Sequence, residues 1–148
     1  MIKFAGSVAL VVLALAAFCF GRKEETLTEL IARTEASRPD QQPDLYMEAA
    51  DRQRKAATEA MKAEHWEEFE TDLQDVVKYC GKARAAAISS TKHIKNTEIR
   101  IRRISGHLKD VKLDVALDDQ PKVQAAIDKL EEFRTELLRK MFGGKGND

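Results

Sequence analysis

The sequence predicts an all-α protein, an antiparallel bundle of four main helices preceded by a short N-terminal helix. Three observations lead to this prediction. Apolar side chains recur with a seven-residue repeat between residues 66 and 115, which places them on one stripe of a helix. The 148-residue chain is 34% charged and contains only 7 glycines and 3 prolines, as is typical of helical proteins. Short polar segments containing the prolines separate the helical patterns and predict tight connections.

The seven-residue repeat is the strongest pattern in the chain. Because a straight helix drifts by about 20° per heptad, a helix that buries this stripe throughout must supercoil with partners or be interrupted. Small residues in the middle of the repeat favour a break near 88–92, giving helices of about 65–88 and 91–117. Gly81 is a second candidate breakpoint, and a single helix over 65–117 is the alternative. The repeat comprises Trp66, Leu73, Cys80, Ala87, Ile94, Ile101, Leu108 and Val115, interleaved with Phe69, Val76, Ala83, Ser90, Thr97, Ile104 and Val111.

The remaining helices are predicted from shorter stripes and from their boundaries. The prolines lie at the connections, because proline disfavours helix in the residue before it and fits a first helical turn. Short connections make neighbouring helices antiparallel. The predicted ranges are about 23–37, 44–63 and 121–142. The thin inner face predicted for 44–63 consists of Leu45, Ala49, Ala56, Ala60 and Ala63.

The first 21 residues form a separate region. An apolar run from about Phe4 to Phe20 follows the positive charge of Lys3. At about 17 residues, the run is short for a membrane span and typical of a cleaved signal peptide, with an uncleaved N-terminal anchor as the alternative. Residues 22–142 then form a single helical domain, and 143–148 a flexible tail. We expect an exported protein, either periplasmic or secreted, or one anchored to the inner membrane by its N-terminal segment.

The sequence carries no motif for a catalytic, cofactor or metal site. Its histidines, His65, His93 and His107, lack the Glu-x-x-His spacing of di-iron bundles and the His-Glu-x-x-His spacing of zinc hydrolases. Cys80 falls on the apolar stripe, where a small buried hydrophobe is expected rather than a nucleophile. We therefore predict a non-enzymatic protein without catalytic residues, metal or cofactor.

A basic block between residues 92 and 112 is the most function-like feature. It contains seven basic and two acidic residues although the whole chain has a formal net charge of zero. Three interpretations remain open: pairing with acidic residues of the last helix, a plain solvated face, or binding of a polyanion. Nucleic acid is the least expected polyanion, because the chain has no recognition motif and no overall basic charge. The candidate edge consists of Lys95, Arg102, Arg103 and Lys109.

Two aromatic residues at the start of the repeat form a second candidate site. Trp66 and Phe69 follow a predicted turn and are expected to close one end of the core. The alternative is that they anchor a protein partner, because buried aromatic residues dominate many interfaces.

The stretch from Ala57 to Ala83 resembles a single tetratricopeptide-type helical hairpin. Residues 62–69 occupy the tight turn and the aromatic position of such a repeat, with Glu64 in place of the usual glycine and Phe69 in place of a small residue. The whole chain also resembles the small exported all-helical proteins of bacterial envelopes, which implies a location and no reaction.

These observations predict a binding or scaffold protein of the cell envelope that acts through helix-face interactions. A protein partner or self-association is expected, since a strict heptad repeat is unusual in a monomeric globule. The alternative is an envelope protein that binds a polyanion through the basic edge. Membrane contact is expected only through residues 1–21, if they are retained.

Overall fold

A computed structural model of the chain describes residues 24–143, and these residues form five α-helices and no strand. The all-helical prediction is thereby confirmed. The predicted range of 91–117 is too long, because the backbone becomes extended at Val115. The helices are α1 (Leu27–Glu35), α2 (Gln42–Lys62), α3 (Trp66–Ser90), α4 (Ile94–Asp114) and α5 (Gln120–Phe142).

The helices α2 to α5 form a bundle of two antiparallel hairpins. Helix α2 packs most extensively on α3, and α4 packs most extensively on α5. The hairpins are joined by contacts of α3 with α5 and of α2 and α3 with α4, while α1 lies on α2. The 63–65 and 115–119 connections consequently lie at one end of the bundle. The 91–93 turn, the start of α2 and the end of α5 lie at the other end.

The seven-residue repeat is divided between two helices, so the alternative of a single helix over 65–117 is wrong. Helix α3 ends at Ser90, and Thr91 and His93 adopt left-handed backbone conformations with φ of 57° and 60°. These two residues reverse the chain close to the predicted break. Gly81 is not a breakpoint, since it lies inside α3. A Cβ atom there would be 3.1 Å from Cζ of Phe133, so the glycine permits close packing on α5.

The stripe is buried within a single copy of the chain. Apart from Trp66, Ser90 and Ile94, every position of the repeat lies in the core or is a fully buried polar residue. The inner face predicted for α2 is only partly correct. Leu45 and Ala56 are half-buried and Ala63 is exposed, while the core uses Tyr46, Met47, Ala49, Ala50, Ala57 and Ala60.

Local capping explains where α1 begins and where α2 ends. A capping box starts α1, where Thr26 accepts from the Glu29 amide and the Glu29 carboxylate accepts from the Thr26 amide. Helix α2 ends in a Schellman motif, in which the His65 amide donates to the Ala60 carbonyl at 2.9 Å. Glu64 occupies the left-handed position of this motif, with φ of 58°. Glycine favours this conformation because it lacks the Cβ that crowds the backbone there.

Within residues 24–143, no helix is both long enough and apolar enough to cross a membrane. The predicted signal peptide or anchor (1–21) and nearly all of the predicted tail (144–148) lie outside the described residues.

Candidate functional site

The structure divides the predicted basic edge into paired and unpaired parts. Lys109 lies 3.8 Å from the Glu131 carboxylate, with the lysine side chain exposed and the glutamate half-buried. Lys95, Arg102 and Arg103 are exposed and form no ion pair with any residue in 24–143. Exposed pairs such as Lys109–Glu131 contribute little energy. The unpaired part of the edge is therefore Lys95, Arg102 and Arg103.

Most acidic residues of α5 turn away from the basic edge. Glu136 pairs with Arg84 of α3, Glu132 pairs with Lys129, and Asp128 accepts from Gln124. Only Glu131 reaches α4, where the Ser105 hydroxyl donates to it at 2.6 Å. Neutralisation of the basic edge by the last helix, one of the three interpretations, is thus largely absent.

A groove of about 390 Å³ lies between α4 and the end of α5, and two of the unpaired cations line it. Its apolar lining comes from Ile99, Leu138, Met141 and Phe142, and Lys95 and Arg102 complete it together with Glu98. Glu98 is buried and accepts from Nε and Nη2 of Arg134 at 3.0 and 2.9 Å. Because this carboxylate already has a cationic partner, it does not cancel the charge of Lys95 and Arg102.

The last turn of α5 adds further cations and a large exposed apolar side chain. Phe142 is 70% exposed. Arg139 and Lys140 precede it and, with Ile88 and Glu136, line a second groove against α3. We call this region the cationic end. It is defined by Phe142 and six exposed side chains without an ion pair to the described residues: Lys92, Lys95, Arg102, Arg103, Arg139 and Lys140.

The opposite end of the bundle is acidic. The segments 55–75 and 107–128, which meet there, carry twelve acidic and five basic residues. Toward the other end, 82–104 and 131–142 carry four acidic and ten basic residues, while 24–54, with α1 and the start of α2, carries eight acidic and four basic residues. Burial, together with the nearby charges of Asp75 and Glu68, raises the pKa of Asp72 at this end. The molecule is therefore electrically polarised along the bundle although its formal net charge is zero.

The two candidate anchor residues lie at the acidic end and differ in exposure. Phe69 is 2% exposed and closes the core, so it offers no surface to a partner. Trp66 is 41% exposed and meets Phe69 edge-on, with ring centroids 6.0 Å apart. Leu113 and Leu117 are also exposed at this end. The anchor hypothesis is thereby restricted to Trp66.

His93 and His107 form polar contacts with α2, and Cys80 is part of the core. Nδ1 of His93 lies 3.2 Å from Asp44, and Nε2 of His107 lies 3.1 Å from the Thr58 hydroxyl. Burial, followed by the charge of Arg54, lowers the pKa of His107. Cys80 is fully buried, and burial raises the pKa of its thiol far above the usual range. In the described part of the chain, no three His, Cys, Asp or Glu residues are grouped to hold a metal ion.

Sequence reasoning missed the contribution of α5 to the cationic end. Basic residues such as Arg139 and Lys140 are common at the carboxyl end of a helix because they complement its dipole, so their position alone does not indicate a binding site. The available signal was the run Arg139, Lys140, Met141 and Phe142, in which basic and apolar residues adjoin at a helix end. Comparison with protein-family models, curated proteins and solved structures finds no match for this chain.

Proposed function

We propose that this protein is an exported, non-enzymatic helical binding protein of the cell envelope, and that it binds an anionic partner through the cationic end. The observation that carries the proposal is the set of exposed cations on α4, in the 91–93 turn and at the end of α5 that have no acidic partner among residues 24–143, two of which line the α4–α5 groove. Unpaired cations beside an apolar surface favour anionic ligands, because attraction and burial act together.

The geometry favours the polyanion form of binding over a scaffold built on the seven-residue repeat. A scaffold that associates through the repeat needs that stripe on its surface. Here Leu73, Val76, Ile101 and Leu108 are already buried in one chain. The repeat therefore gives no reason to expect self-association, whereas the cationic end remains available. Lys109 makes a smaller contribution than its place in the sequence indicates, because Glu131 lies beside it.

The non-enzymatic part of the proposal is supported by the state of the candidate reactive groups. A nucleophilic cysteine needs an accessible thiolate, and Cys80 is buried with a raised thiol pKa. His93 and His107 lie at separate places along α2, where His93 contacts Asp44 and His107 contacts Thr58. These groups do not converge on one cleft, as an acid, a base and a nucleophile would have to do.

Retention on immobilised heparin, a soluble polyanion, tests this function. We expect residues 22–148 to be retained at low ionic strength and released as salt rises, because the contact is electrostatic. The double substitution Arg102→Glu and Arg103→Glu should abolish retention while leaving the helical circular dichroism unchanged. The matched control, Lys55→Glu and Lys62→Glu at the acidic end, changes the net charge equally and should behave as the unmodified chain does.

Two results would contradict the proposal. One is an absence of retention by the unmodified chain at low salt. The other is equal loss of retention in the two double variants, because this would assign binding to overall charge instead of the cationic end. If the Arg102 and Arg103 variant unfolds, Arg102→Gln and Arg103→Gln provide a milder pair, for which reduced retention is expected.

A further inference from the structure

We propose that the anionic partner is a lipid bilayer, and that the cationic end lies on its surface with Phe142 entering the headgroup region. This inference rests on the proposed function and names the partner class. It also places membrane contact in the folded domain, and not only in residues 1–21.

Apolar and cationic side chains adjoin at the cationic end. Phe142 is 70% exposed, and Ile99, Leu138 and Met141 line the groove beside it. Lys95 and Arg102 lie in the same groove, and Arg139 and Lys140 lie in the neighbouring one. Proteins that lie on a membrane combine apolar side chains, which enter the interface, with Lys and Arg, which attract anionic lipids.

Different classes of partner would contact different side chains of the cationic end. A hydrophilic polyanion or an acidic loop would contact the cations and leave Phe142 in water. A bilayer engages both, since phosphate groups meet the cations while the ring leaves water for the acyl boundary. The exposed phenylalanine in the same groove as Lys95 and Arg102 therefore favours the bilayer.

The charge distribution of the whole bundle favours one orientation on an anionic surface. The segments of the acidic end carry twelve acidic against five basic residues, so an anionic surface repels that end. The membrane attracts the cations of the cationic end and repels the acidic end. The molecule is therefore oriented so that the end of α5 faces the membrane. Trp66, Leu113 and Leu117 then lie on the side away from the lipid.

Vesicle co-sedimentation tests the proposal directly. Every core side chain lies between Leu30 and Leu137, so the chain over 22–148 retains the described core and lacks the apolar N-terminal run. We expect it to sediment with phosphatidylcholine vesicles that contain phosphatidylglycerol and to remain in solution with phosphatidylcholine alone. Neutralising Arg102 and Arg103 with glutamine should weaken partitioning by about 25-fold, at roughly fivefold per cation.

A phenylalanine substitution separates the bilayer from a soluble polyanion. Phe142→Ala should weaken vesicle partitioning by about tenfold, because the apolar ring no longer enters the interface. The same variant should keep its retention on heparin, since the cations are intact. The matched control is Leu113→Ala, which removes a similarly exposed apolar side chain at the acidic end and should leave both readouts unchanged.

Tryptophan fluorescence reports the orientation. The native Trp66 lies at the acidic end, so its emission should not shift when anionic vesicles are added. Combining Trp66→Phe with Phe142→Trp moves the only tryptophan to the cationic end. Its emission should shift to the blue on vesicle addition, as expected for an indole that leaves water.

The outcomes separate this inference from the proposed function. Salt-sensitive heparin retention without vesicle binding would overturn the bilayer inference and leave the proposed function intact. Loss of both would overturn both. Equal binding to vesicles without phosphatidylglycerol, a vesicle-induced shift of Trp66, or unchanged partitioning of Phe142→Ala would each refute the stated docking. Salt-sensitive self-association without vesicles, abolished by the Arg102 and Arg103 substitutions, would assign the cationic end to a second copy instead.

Discussion

Removing Arg134 should destabilise the bundle strongly, because this residue neutralises a buried carboxylate. The Glu98 side chain is 6% exposed and Arg134 19% exposed, and two guanidinium nitrogens donate to Oε1 of Glu98. Breaking a buried pair by removing one partner costs about 3–5 kcal/mol, since the other charge stays buried without compensation. We therefore expect Arg134→Met to lower the free energy of unfolding by about 3–5 kcal/mol. Replacing both residues should cost far less, because no buried charge is left.

Urea unfolding of residues 22–148 at neutral pH measures this cost, and a double-mutant cycle with Glu98→Met isolates the pair. Arg139→Met is the control, because Arg139 is an exposed arginine on the same helix that forms no ion pair within residues 24–143. Its substitution should stay within about 0.5 kcal/mol of the unmodified chain. A cost for Arg134→Met below about 1 kcal/mol would refute the reasoning, since Glu98 would then have to reach water in the folded protein.

Three further perturbations test individual parts of the structure. Thr97→Val should raise the free energy of unfolding by about 1 kcal/mol, because the buried Thr97 hydroxyl has no hydrogen-bond partner; a loss in urea unfolding would contradict this. Glu64→Gly should stabilise the chain by about 1 kcal/mol, because Glu64 has a φ of 58°; a lower thermal midpoint would argue against the left-handed turn. Burial raises the pKa of Glu131, but the Ser105 hydrogen bond, Arg134 and Lys109 outweigh it and leave the pKa below 4.5. Glu131 should therefore add stability above about pH 4.5 that is lost as pH falls through its lower folded-state pKa. Ser105→Ala should reduce this acid dependence, and identical pH profiles of urea midpoints would contradict the assignment.

The core of α3 and α4 could be predicted from the sequence because the signal there is periodic. Positions such as Leu73, Val76, Ile104 and Leu108 repeat with a spacing that only one face of a helix satisfies. The break was predicted near the correct residues because small side chains weaken the stripe at its centre. Its geometry was not predictable, because Thr91 is a β-branched residue that rarely adopts a left-handed backbone, and His93, although more often found there, lies in many other conformations as well.

The inner face of α2 was predicted less well because its sequence has little contrast. Alanine occurs on several sides of this helix, so composition alone does not fix which alanines face inward. The structure buries Met47, Ala50 and Ala57 and exposes Ala63, which rotates the face relative to the prediction. The rotation of α2 is fixed by how it packs against α3 and the neighbouring helices, and the sequence of α2 alone does not contain that information.

The pairing of the basic edge depended on the same kind of non-local information. A surplus of acidic residues on α5 indicated neutralisation of α4. Glu136 instead meets Arg84 of α3, and Arg134 turns back toward Glu98. The rotation of α5 about its own axis determines which partner each side chain meets. A rotation by the angle between successive residues would direct each of these side chains toward a different neighbour. The free cations of the candidate site could therefore be identified only from the assembled bundle.

The most direct test of the central claim, that the cationic end is the contact surface, is chemical-shift mapping of ¹⁵N-labelled residues 22–148. A short-chain phosphatidylglycerol, kept below its micelle concentration, supplies both an anionic headgroup and apolar chains. The account predicts saturable, salt-sensitive shifts confined to 92–103 and 138–143, around Lys95, Arg102 and Phe142. Shifts that cluster at 63–66 and 113–119 around Trp66, or the absence of any saturable shift, would contradict it.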